Sequence, residues 1–80
     1  MRATYSKQAV KVLERMDGVT KQRIREGVKK IPAGNIVPLK GAPGNFRLRI
    51  GDWRILFAYV EKERAYIKKI SPRGQVYKGV

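Results

Sequence analysis

Arginine, lysine and tyrosine carry the chemical potential of this chain, and their densest run is NFRLRIGDWRILF, from Asn45 to Phe57. Gly51-Asp52 reads as a two-residue turn that opens with glycine at positive φ. That turn pairs Ile50 with Trp53, Arg49 with Arg54 and Leu48 with Ile55. Side-chain alternation then places Phe46, Leu48, Ile50, Trp53, Ile55 and Phe57 on an apolar face. Arg47, Arg49 and Arg54 share the other face with Leu56. Arg49 and Arg54 become directly opposed like charges, which costs roughly 0.2–1 kcal/mol. The pair is easiest to understand on a face that receives an anion, with a merely solvated arginine face as the alternative. The carboxyl-terminal stretch SPRGQVYKGV adds Arg73 and Tyr77. A last strand returning beside the hairpin would bring this guanidinium and phenol to the same surface; packing of a terminal aromatic is the competing role for Tyr77.

Such a set suits transfer at a phosphodiester. Guanidinium groups present planar forked donors to phosphate oxygens, and preorganised charge is often the largest catalytic contribution. RNA supplies its own nucleophile, the ribose 2′-hydroxyl, so a protein has only to position the strand, neutralise charge and move protons. Tyr77 is the candidate base, because surrounding cations favour phenolate, whereas arginine is a poor proton acceptor. Other chemistries lack their residues. The chain has no cysteine and no histidine, so disulfides, thiolate metal sites and the commonest general base are all missing. No GxxxxGK[ST] phosphate loop is present. Asp52, Glu61 and Glu63 are explained by turns and do not form a glycosidase pair. No cofactor or metal is expected.

Composition agrees with a polyanion partner. A net charge of +13 arises from 19 Lys and Arg against six acids, spread through both halves of the chain. A small domain so charged binds polyanions with release of counterions, and nucleic acid, ribosomal RNA or an acidic protein would each fit. The hydrophobic fraction of 42% excludes a low-hydrophobicity disordered chain. No apolar run approaches the roughly 20 residues of a membrane helix, and the amino end does not resemble a secretory signal. A single cytoplasmic domain over 1–80, without a membrane association, is the expectation.

The elements that must position these residues follow from periodicity. Arg2 to Tyr5 is a short candidate strand. Ser6 caps a first helix, whose stripe of Val10, Leu13 and Met16, with Ala9 beside it, ends at Asp17-Gly18. Thr20 is the expected cap of a second helix, with Val19 stapling onto Ile24 and a buried stripe of Ile24, Val28 and Ile31. Pro32 ends it. Lys21, Arg25 and Lys29 form a basic ladder on its outside, equally consistent with a phosphate backbone, an acidic protein or solvent. Residues 32–44 read as a loop. Strands over 45–50, 54–60 and 65–70 then make an antiparallel meander. Two helices on its apolar side give an α+β domain.

This layout resembles the RelE/ParE toxin superfamily, most specifically in VPLKGAPGNFRLRIGDWRILF and IKKISPRGQVYKGV. The shared pattern is an L-x-G loop, an aromatic followed by R-x-R, G-D-W/Y-R, and a terminal R-x-x-x-Y. The resemblance implies a RelE-like toxin of a type II toxin–antitoxin pair, an endoribonuclease cutting messenger RNA in the ribosomal A site without a metal. It carries the catalytic set onto Arg49, Arg54, Arg73 and Tyr77. Arg54 and Arg49 would sit on the scissile phosphate, and Arg73 would neutralise or protonate the leaving oxygen. Arg47, Lys40, Lys69 and Lys78 would bind RNA. The second-strand positions are arginines here where RelE has lysines, which places more weight on Tyr77 as base. The expected partners are a cognate antitoxin, the ribosome and mRNA, with operator DNA reached only through the antitoxin complex. ParE-like relatives poison gyrase on the same scaffold, and a non-catalytic nucleic-acid-binding module is the remaining alternative.

Overall fold

In the computed structural model, which describes residues 1–72, the elements are β1 (Arg2–Tyr5), α1 (Lys7–Glu14), α2 (Gly18–Lys29), β2 (Asn35–Pro38), β3 (Asn45–Ile50), β4 (Trp53–Glu61) and β5 (Arg64–Pro72). The strands make one sheet of order β1-β5-β4-β3-β2. β2 to β5 run as an antiparallel meander, and β1 lies parallel to β5 at the far edge. Two helices on one face of this mixed sheet complete the expected α+β fold. No helix among the described residues is long and apolar enough to cross a membrane.

The core lies between the helices and that face. Ala9 and Leu13 of α1 and Ile24 and Val28 of α2 meet Leu48, Ile55, Phe57, Ile67 and Ile70 of the strands. Each fully buried large aliphatic or aromatic side chain contributes roughly 1.5–3 kcal/mol relative to exposure. Ile67 and Ile70 both face inward although three residues apart, because β5 holds an extra residue there. The register steps from Leu56↔Lys69 to Phe57↔Ile67, leaving Lys68 as the bulged residue. At the other end of the sheet, Phe46 stacks on Phe57 at 5.7 Å, and Tyr59 meets both rings edge-on at 5.4 and 5.5 Å.

Local chemistry fixes the helix starts. The Ser6 side chain accepts from the Ala9 amide at 3.1 Å and donates its own hydroxyl to the Lys68 carbonyl at 2.8 Å, tying the start of α1 to the bulge in β5. The second helix is capped by Asp17 and not by Thr20. The Thr20 amide and hydroxyl both donate to the Asp17 carboxylate, at 3.0 and 2.7 Å. A carboxylate there also faces the positive end of the helix dipole. With the cap three residues earlier the proposed staple is lost, and Val19 is 74% exposed. Val10 likewise turns to solvent, because the buried stripe of α1 runs through Ala9, Leu13 and partly buried Val12 and Met16. Val10 lies one residue, about 100° of helix, away from Ala9. The expected loop over 32–44 contains an edge strand. Ile36 pairs with Leu48 and packs on the core, so a short β2 forms despite the surrounding glycines and prolines.

Candidate nucleic-acid interface

The face of the sheet opposite the helices is organised by the hairpin register. Ile50↔Trp53, Arg49↔Arg54 and Leu48↔Ile55 are paired as the turn chemistry requires, with Gly51 at φ 57° in the turn. Two rows therefore cross this face. One runs Asn35, Arg49, Arg54, Ser71 and the other Val37, Arg47, Leu56, Lys69, each from β2 to β5. Leu56 is only 6% exposed, yet it stands apart from the core cluster, as expected for a residue on this second face. It is flanked in its row by Arg47 and Lys69, whose aliphatic stems can cover it.

The arginines differ in how they are held. Arg47 donates from Nη2 to Asn35 Oδ1 at 3.0 Å, and exposed Arg49 donates from Nε to the Gly51 carbonyl at 3.4 Å. Arg54 is 9% exposed and Ser71, directly opposite it on β5, is 5% exposed. Arg54 Nη1, Ser71 Oγ and Arg47 Nε are buried without a hydrogen-bond partner among the described residues. A buried polar group left unsatisfied costs about 1–3 kcal/mol, more when charged. Three together mark a place where the fold has given up stability, as functional sites do.

Electrostatics point the same way. The acids are Glu14, Asp17, Glu26, Asp52, Glu61 and Glu63, and among the described residues the one salt bridge is Arg64–Glu61 at 3.9 Å. No carboxylate neutralises Arg47, Arg49, Arg54 or Lys69 there. Two asparagines take part instead: Asn35 orients Arg47, and Lys68 Nζ reaches from the bulge across to Asn45 Oδ1. The arrangement is a concentration of fixed cationic donors able to hold an anionic backbone.

The structure brings together Arg47, Arg49, Arg54 and Lys69. Lys40 is exposed in the turn between β2 and β3, outside the two rows. Arg73, Tyr77 and Lys78 lie outside the described residues. Tyr5 stands on the core side of the sheet, paired with Ile67. Burial pushes its phenol above the usual tyrosine range, and Arg25 draws it partly back. Sequence reasoning missed Ser71, Lys68 and Tyr66, which is half-buried on the open face beside Ala58. The β5 bulge separates them, since side-chain alternation changes phase along the strand at the extra residue.

No family model matches the sequence, and no curated protein matches it either. The fold, however, is shared with solved structures. A chain of the RelB–RelE antitoxin–toxin complex from Methanococcus jannaschii superposes with a TM-score of 0.72 at 21% identity, over 91% of this chain and 93% of that one. A chain of the toxin–antitoxin complex RelBE2 from Mycobacterium tuberculosis gives 0.66 at 18% identity, over 90% and 96%.

Proposed function

We propose that this protein is a RelE-like toxin that cleaves messenger RNA on the ribosome, and that a cognate antitoxin restrains it. The observation that carries the proposal is the row Arg49, Arg54, Ser71, unneutralised by any acid among the described residues, on the helix-free face of a fold shared with chains of RelB–RelE and RelBE2 complexes.

The mechanism draws its nucleophile from the substrate. The 2′-hydroxyl gives its proton to a base and its oxygen attacks the adjacent phosphorus; the bond to the 5′-oxygen breaks, and that oxygen takes up a proton. This leaves a 2′,3′-cyclic phosphate and a free 5′-hydroxyl. Charge accumulates on the non-bridging oxygens, where Arg54 and Arg49 stabilise it; Arg47, held by Asn35, positions the strand together with Lys69 and Lys68. We assign the base to Tyr77 and leaving-group neutralisation to Arg73. No step calls on a metal ion. The antitoxin is acidic or amphipathic where it meets the basic surface.

Primer-extension mapping of messenger RNA on programmed ribosomes tests the proposal. Discrete A-site cuts that fade in Arg54→Ala and in Tyr77→Phe are expected. A folded wild-type protein that cuts nothing would overturn the nuclease assignment.

A further inference from the structure

The end of the first row supports a step beyond this function, one that rests on the arginine face being a phosphate-binding surface. We propose that Ser71 is a substrate-binding residue, its hydroxyl donating to an oxygen of the same backbone phosphate that Arg54 engages.

Ser71 and Arg54 are cross-strand partners, both at least nine-tenths buried. A serine in a strand ordinarily spends its hydroxyl on a nearby backbone group. Among the described residues Ser71 Oγ has no partner, nor does Nη1 of the guanidinium beside it. The simplest local solution, an Arg54 N–H donating to Ser71 Oγ, is not formed, so both groups retain a proton to give. An acceptor-only ligand with several lone pairs satisfies them together. Adjacent strands lie about 4.8 Å apart, a gap that two oxygens of one tetrahedral phosphate can span with a hydrogen bond to each side. Arg47 Nε, in the neighbouring row, is a third buried donor without a partner among the described residues and supplies the next contact along the backbone. No carboxylate among the described residues lies within salt-bridge distance of Arg54, so none of them competes with an external anion there.

A residue kept for ligand binding and one kept for packing respond differently to Ser71→Ala. The substitution deletes an unsatisfied hydroxyl and little volume, so the melting temperature should hold or rise. A packing or structural serine would lose stability instead.

The experiment is fluorescence-anisotropy titration of a short 2′-O-methyl RNA, which cannot attack its own phosphate, at one fixed salt concentration. Wild type, Ser71→Ala, Ser71→Thr and Arg54→Ala are compared, with a melting temperature for each. Expected are about tenfold weaker binding for Ser71→Ala without a loss of melting temperature, recovery of most affinity in Ser71→Thr, and a loss at least as large for Arg54→Ala. Wild-type affinity in Ser71→Ala beside weak binding by Arg54→Ala would overturn the Ser71 proposal and leave the phosphate surface standing. Affinity unmoved by either substitution would overturn both. Weaker binding with a lowered melting temperature and no rescue by threonine would make Ser71 a packing residue. Binding as expected, from a protein that cuts no ribosomal messenger, removes the nuclease assignment while Ser71 keeps its role.

Discussion

Gln8 of α1 grips the backbone of Ile70 in β5 with both ends of its amide: Nε2 donates to the Ile70 carbonyl and Oε1 accepts from the Ile70 amide, each at 3.1 Å. β1 ends its pairing at Tyr5, opposite Ile67, so the edge of β5 beyond that point has no neighbouring strand among the described residues. Gln8 takes the place of the missing residue, and it anchors the stretch that delivers Lys69 and Ser71 to the open face. Gln8→Ala removes two partly buried hydrogen bonds. It should lower unfolding free energy by about 1–3 kcal/mol in denaturant titration, and the Ile70 amide should exchange markedly faster with solvent. Unchanged exchange at Ile70 would show that β5 holds its end without the clamp.

Acid stability should report on the cap of α2. The Thr20 hydroxyl and amide hold the Asp17 carboxyl below the usual carboxylate range. Because the folded-state pKa is depressed, the ion contributes stability fully above the unfolded value near 3.9, and that contribution disappears as pH falls through the folded value. Asp17→Asn retains a capping side chain without the titration. Its stability-against-pH curve should therefore be flatter than wild type below about pH 4, when thermal melts are run from pH 2 to 7.

The hairpin was legible because its turn and alternation are both local: Gly51-Asp52 sets the register of Arg49 against Arg54, and every pair follows. The helices were legible in their stripes but not in their first residues, since Asp17-Gly18 carries the signature of a stop as well as that of a start. β2 was hidden because its strand character comes from Leu48 and Arg47 across the sheet and not from the NIVP segment itself. Ser71 was hidden for a related reason. Its place beside Arg54 depends on the Lys68 bulge, which is held by Ser6 at the bulge carbonyl, 62 residues earlier. A contact of that separation leaves no periodic trace.

Gly27 and Ile50 should be energetically coupled. A Cβ at Gly27 would collide with Cδ1 of Ile50, where α2 crosses β3. Gly27→Ala gains about 1 kcal/mol of helix propensity, offset by the cost of displacing Ile50 in a partly packed site. Alone it should be neutral or destabilising. In an Ile50→Val background, which removes the colliding methyl, the same change should become stabilising, giving an interaction energy of at least about 0.5 kcal/mol in a double-mutant cycle. Additive effects would mean that Ile50 swings aside freely.

Arg49 and Arg54 face each other, yet their removal should have opposite consequences for stability and the same consequence for RNA. Arg49 is exposed, and its like-charged neighbour opposes it across the pair. Arg49→Ala should thus leave unfolding free energy unchanged or raise it by roughly 0.2–1 kcal/mol. Arg54 is buried beside Leu56 and Ser71, so Arg54→Ala forfeits the packing of its stem and should destabilise the fold. Both arginines, in the proposed role, neutralise backbone phosphate. Each substitution should reduce the slope of log affinity against log salt for single-stranded RNA by about 0.7. Anisotropy titrations across a salt series would measure it. If Arg49→Ala changed stability alone and left the salt slope of wild type intact, the opposed pair would be a solvated feature of the sheet and the phosphate contact would belong to Arg54 and Arg47.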